Sequence, residues 1–321
     1  MNRIVLNVET LDEIRMDCGK HALYPIINHM GDDIDYFLLN SFHTYVVSED
    51  KVLTLQEVEC DFYKELGYVF EKKNDNIDFI DYVKIKLENN QPLYIMCDLF
   101  ALPRFKSPDK NGHGFHAVCV YGFDDEEQKF FIIDHEYHDS FLYIKQEISY
   151  DDLRNASISC EKHLNYASIR TIKKDMTSRD MKNTPIETFK NNFIQYEDLM
   201  KKGFDNILQY WGILKQKFVN DNPENVKNFI SLSHSHIGNI MNQKIYEQAI
   251  IKKYFPTEQF IAQAENRTFC INYIYAVMAK YMMKPKENAA LYNSLAGKFE
   301  LFYQQEVNIH DNFIRKFSVE E

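Results

Sequence analysis

The chain changes texture near residue 180, and no other feature restricts its fold as strongly. Beyond that point four helical patterns run near 186–219, 223–251, 257–283 and 286–317, with stops at Asp221-Asn222-Pro223, Phe255-Pro256-Thr257 and Lys284-Pro285-Lys286. Proline lacks a backbone donor and drives the preceding residue out of the helical region, so each stop reads as a helix boundary. The third pattern, through Phe269, Ile271, Tyr273, Ile274, Val277, Met278 and Tyr281, is apolar on nearly every side, which predicts burial within a bundle. Before residue 180 the periods are mixed. Residues 18–30 read as a helix that tolerates Pro25 only within its first turn or two. Residues 77–89 carry Ile77, Ile80, Val83 and Leu87 at helical spacing. Strand-like runs follow at 92–97, 116–123, 129–134 and 141–145, and Ser149 is placed to cap another helix. Helices followed by a strand meander predict an α+β domain with an antiparallel sheet. The expected organisation is therefore an α+β domain over 1–175, a polar linker within 173–185, and an all-α bundle over 185–321.

With 321 residues, 45% of them hydrophobic, the chain can bury two cores of this kind. A net charge of −11 argues against a nucleic-acid partner. No stretch has the form of a signal peptide and no apolar run reaches membrane-spanning length, so the expected location is the cytoplasm, without a membrane partner. The six cysteines, 18, 60, 97, 119, 160 and 270, form no CxxC pair and read as free thiols in a reducing compartment. Cys97 and Cys119 sit in strand patterns as small core residues.

Cys18 differs. Asp17-Cys18-Gly19 precedes Ala22, Leu23, Ile26, Ile27 and Met30, which puts a thiol at the start of an amphipathic helix, where the dipole and free N–H groups favour a thiolate. A catalytic thiolate needs a base and a group to orient it. In HAVCVYGFDDEEQKFFIID, a regular hairpin centred on residue 125 sets His116 directly opposite Asp134, at its open end and within reach of a substrate. Cys18, His116 and Asp134 thus form a candidate nucleophile, base and orienting carboxylate. Each alone has an ordinary structural explanation; the matched set favours catalysis. The other histidines are weaker candidates. His113 with His116 and His135 with His138 form HxxH pairs, but no zinc-type constellation accompanies them, and His234 and His236 do not share a helix face. His21 and His29 read as surface or supporting residues. No metal site is assigned.

The segment from Met16-Asp17-Cys18-Gly19 through Ala22-Leu23 to Gly31 resembles the nucleophile segment of bacteriocin-processing cysteine peptidases, which have a papain-like fold. The run PLYIMCD (92–98), Leu102-Pro103, His116, Gly122-Phe123-Asp124-Asp125 and Asp134 is similar to the N-terminal region of the butirosin biosynthesis protein H family. Arg267, the apolar stretch to Tyr281 and residues 292–301 extend that likeness into the second half. The resemblance implies a papain-like catalytic domain that takes an acyl group from a carrier-protein thioester onto Cys18 and passes it to an amine, in antibiotic or other specialised-metabolite biosynthesis. An assembly line of the polythioamide type is one setting.

The implied partners are an acyl carrier protein and a small-molecule amine. No cofactor is implied beyond the phosphopantetheine that presents the substrate. One departure shifts weight from peptide cleavage to acyl transfer: where the processing peptidases carry a Gln six residues before the Cys, this chain has Asp12, which cannot donate to an oxyanion when ionised. Asp98, ending a strand beside that of His116, is expected to form a wall of the acceptor pocket with the loop through Leu102-Pro103 to Gly114, or else to cap that loop. Lys173-Lys174, Lys201-Lys202 and Lys252-Lys253 are candidate contacts for an acidic carrier. The rival readings are a peptidase or amidase with the same triad, and a non-catalytic binding module.

Overall fold

The computed structural model describes residues 2–10, 17–58, 68–72, 76–103, 113–135, 142–166, 169–174, 183–284 and 288–319. The chain divides into two units, residues 1–37 with 61–182 and residues 38–60 with 183–321. The first domain expected from sequence was contiguous; here residues 38–60 leave it and join the helices.

The first unit is α+β. Its strands β1 (Arg3–Val5), β4 (Tyr68–Lys72), β5 (Leu93–Asp98), β6 (Phe115–Asp124), β7 (Lys129–His135), β8 (Tyr143–Ser149) and β9 (Ile169–Lys174) form one sheet in the order β4-β9-β5-β6-β7-β8. Every pairing is antiparallel, and β1 pairs with the far end of β6. Helix α1 (Cys18–His29) packs on β5, β6 and β7. Helices α3 (Phe79–Glu88) and α4 (Tyr150–Leu164) contribute Phe79, Val83, Leu87, Leu153 and Ala156 to a core with Leu93, Ile95, Cys97, Val118, Val120 and Ile132. Ala117, Cys119 and Ile133, which alternation points to the opposite face, are buried as well. Both faces being covered, β6 reads as an unbroken apolar run.

The sequence places α3, β5, β6, β7 and the Ser149 cap close to where they are found. It did not reveal β1, β4 or β9, which are short or lie in polar sequence. Pro25 falls at the eighth position of α1, past its second turn.

In the second unit, α5 (Pro185–Gln195), α6 (Glu197–Asn220), α7 (Pro223–Tyr254), α8 (Glu258–Met283) and α9 (Asn288–Val319) follow the sequence stops, except that Tyr196 breaks the first expected helix. Two of the proline stops work through a cap, Asn222 ahead of Pro223 and Thr257 accepting from the Phe260 N–H, while Pro285 lies outside the described residues; Thr184 with Glu187 forms a capping box ahead of α5. Helix α8 packs between α7 and α9. It is not buried all round: Ile271, Ile274 and Met278 are inside, whereas Phe269 and Tyr273 are exposed beneath the Lys298 ammonium. Strands β2 (His43–Val47) and β3 (Leu53–Glu57) form a hairpin against α6 and α7. Helix α2 (Asp35–Leu39) carries the chain between the units. Among the described residues no helix is long and apolar enough to cross a membrane.

Candidate active site

Helix α1 begins where the sequence places it. Asp17 is its N-cap, with Oδ1 accepting from the Lys20 N–H at 2.9 Å, an arrangement that contributes about 1 kcal/mol. Cys18 is therefore the first helical residue, half-buried. Of the remaining described cysteines, 97, 119, 160 and 270 are buried, and burial pushes the Cys97 and Cys119 thiols up, away from thiolate formation. Cys60 lies outside the described residues, as does Asp12.

His116 and Asp134 do meet, with Nε2 2.6 Å from Oδ1. The geometry that joins them is not the regular hairpin expected. The turn occupies residues 125–128, and its innermost pair is Asp124 with Lys129. Continued without interruption, that register would set His116 opposite residue 137 and turn Asp134 to the other face. Instead, Val120 pairs with Ile132 and Gly122 with Phe131, so Tyr121 is an extra residue in β6. This bulge restores the phase. His116 and Asp134 become diagonal neighbours on one face, a separation that two side chains can bridge. Strand β1 holds the bulge: the Leu6 N–H donates to the Tyr121 carbonyl at 2.9 Å, and Val5 pairs with Gly122. A methyl on Gly122 would sit 2.5 Å from the Ile4 carbonyl oxygen, so only glycine admits β1 here.

The pair is not open at the hairpin end; His116 is 3% and Asp134 2% exposed. Burial pulls the His116 imidazole down, but the hydrogen bonds to Asp134 and Cys18 and the electrostatic pull of these two neighbours outweigh it, and the ring is pushed up to about 9. With Nε2 occupied by Asp134, Nδ1 is the ring nitrogen left for Cys18. Three side chains from α1, β6 and β7 are thus in sequence, with Cys18 the most accessible.

Asp98 is fully buried and engaged by the loop that follows it. It takes His113 Nδ1 at 2.5 Å, the Ser159 hydroxyl at 2.6 Å, and the N–H groups of Phe100 and Gly114 at 3.1 and 3.2 Å. Burial raises its carboxyl, yet these donors together hold it below the ordinary carboxylate range. This geometry fits the loop-capping alternative. Leu102 and Pro103 do line a cavity of about 140 Å³, with Ile132, Asp134, Glu147 and Asp152, but Asp98 is not in its lining.

Further rings lie around the side chains of Cys18, His116 and Asp134. His21, read from sequence as a surface or supporting residue, takes the supporting place: it is 2% exposed and stacks on Tyr143 with ring centres 3.7 Å apart, and burial drives it down to about 3, so it stays neutral. The Tyr143 hydroxyl, held protonated by burial, is hydrogen-bonded to His135 Nε2, and the His135 ring lies 5.1 Å from that of His116. Periodicity carries no signal for such stacking. His138 lies outside the described residues, among which no group of His, Cys, Asp and Glu could hold a metal. Lys201 pairs with Glu197 and Lys252 with Glu265, while the side chains of Lys173 and Lys174 lie outside the description.

Residues 29–135 match the family model for butirosin biosynthesis protein H, N-terminal. Over that stretch, about a third of the chain, the sequence is similar to the butirosin biosynthesis protein H family. The match spans β5, β6 and β7 with His116 and Asp134 and begins after Cys18. No curated protein matches the chain.

Proposed function

We propose that the protein is an amide-forming acyltransferase of papain-like type, which moves an acyl group from a carrier-protein thioester through Cys18 to an amine. The observation that carries this reading is the helix-start thiol in hydrogen-bond contact with His116, itself fixed by Asp134 at 2.6 Å. The Cys18 thiolate adds to the thioester carbonyl, and the oxyanion is met by the Cys18 N–H at the helix start, where backbone donors have no intrahelical partner. The pantetheine sulfur leaves and takes the proton held by His116 Nδ1. A thiolate is a good leaving group, so departure is possible in either direction. The amine then adds to the acyl-enzyme, His116 accepts its proton, and Cys18 departs as thiolate with the amide formed. Asp134 keeps the imidazole in the tautomer and orientation both steps require. Glu147 and Asp152, in the cavity beside Asp134, suit a cationic amine.

Incubation with an acyl-N-acetylcysteamine thioester, a surrogate for acyl-pantetheine, tests the proposal. Intact-mass analysis should show one acyl adduct on Cys18, absent from Cys18→Ala and discharged by an added amine. An adduct on another cysteine would overturn the assignment. Peptide cleavage without thioester turnover would favour the peptidase reading.

A further inference from the structure

The second unit contains a buried cluster of charges that the proposed chemistry does not use. Lys244 Nζ lies 2.9 Å from Glu247 and 3.1 Å from Glu306, and Arg267 Nη1 lies 2.8 Å from Glu247 and 3.3 Å from Glu306. The Tyr45 hydroxyl donates to Glu306 at 2.5 Å. Arg267, Lys244 and Glu306 are 2%, 3% and 4% exposed. Removing such ions from water costs several kcal/mol each, and apolar side chains of equal volume commonly hold a bundle together as well. Packing alone therefore does not account for the cluster.

Its hydrogen bonding is also incomplete. A guanidinium carries five N–H groups. The ion pairs of Arg267 all run through Nη1, and its Nε and Nη2 are buried without a partner. Ser41 Oγ is in the same condition. Both residues line a cavity of about 100 Å³ formed entirely by the second unit. Its remaining wall is largely apolar, including Phe193, Phe204, Ile250 and Phe313. A water needs roughly 10–15 Å³ on this measure, so the space suits a ligand of a few to about ten heavy atoms.

The two unpartnered guanidinium nitrogens are donors on one edge of a planar fork, the edge that takes both oxygens of a carboxylate. A wholly apolar guest would leave them unpaired, and a cationic guest would find no spare acceptor on Arg267. A phosphate dianion would bring a second negative charge beside Glu247 and Glu306. We propose that this cavity binds a small carboxylate with an apolar body, aryl or branched alkyl, seated with its carboxylate on the Nε–Nη2 edge of Arg267 and its body among Phe193, Phe204, Ile250 and Phe313. Cys18 is not in the cavity's lining, and the proposal does not depend on the acyltransferase reading.

Calorimetry and thermal melts of the full chain with sodium benzoate, and with benzamide as the uncharged isostere, test it. Benzoate should bind and raise Tm, with benzamide at least tenfold weaker. Ile250→Phe fills the cavity without touching a charge and should weaken benzoate at least tenfold while the chain stays folded. Arg267→Lys keeps the charge but loses the fork and should do the same. If that variant fails to fold, Ile250→Phe decides. Equal binding of benzamide, no binding at millimolar benzoate, or undiminished binding by Ile250→Phe would each overturn the proposal.

Discussion

Replacing Asp134 by Asn should lower the His116 titration from about 9 toward the ordinary imidazole value of about 6.5. The difference of roughly 2.5 pH units, at about 1.4 kcal/mol per unit, makes the folded first unit favour imidazolium by about 3 kcal/mol. Asp134 is the strongest of the influences that raise the ring, through its hydrogen bond and its charge. Asn keeps the shape and the burial, and burial by itself lowers the ring. The linked effect on stability has a definite sign. A folded-state pKa raised above its unfolded value stabilises fully below about 6.5, and that contribution is lost as pH rises through about 9. The wild type's advantage over Asp134→Asn should therefore shrink by about 3 kcal/mol between pH 6 and pH 10. Heteronuclear NMR of the His116 ring in histidine-labelled protein gives the midpoint directly. Hydrogen exchange of β6 amides gives the stability of this unit, because Trp211, the sole tryptophan, lies in the other. A wild-type midpoint at or below 6.5, or an unchanged midpoint near 9 in Asp134→Asn, would refute the reasoning.

Gly122→Ala should push β1 off the bulge, cost about 1–3 kcal/mol, and cut thioester turnover with it, read as faster amide exchange in β6 alongside a lower acylation rate. Asp98→Asn should lower Tm and loosen residues 99–103 while leaving the acceptor KM of the folded fraction unchanged; a rise confined to acceptor KM would instead assign it to the acceptor pocket. Gly203→Ala places a methyl against Thr44 Oγ1 and 2.9 Å from the Tyr45 amide nitrogen, and should detach the β2–β3 hairpin from α6, visible as lost exchange protection at residues 43–57. Glu306→Ala leaves Lys244 and Arg267 with one carboxylate between them and should destabilise the second unit by about 3–5 kcal/mol, measured by denaturant titration of Trp211 fluorescence.

What the sequence determines by itself is local. Asp17 ahead of Cys18, Ser149, and the prolines at 223 and 256 act within a turn of their own position, so those helix starts and stops were legible. The strand-like runs at 92–97, 116–123 and 129–134 were legible for the same reason. Tertiary structure decided the rest. Strands β1, β4 and β9 exist because neighbouring strands complete their hydrogen bonds, and residues 38–60 belong with the helices because α6 and α7 cover their hairpin. The candidate site lies between these two cases. Its residue types and their order could be read directly, but the phase that lets His116 reach Asp134 depends on one extra residue, Tyr121, held by a strand over a hundred positions earlier. Side chains alternate with a period of two along a strand, so a single bulge decides which face a residue occupies. Only the pairing partner fixes where the bulge falls.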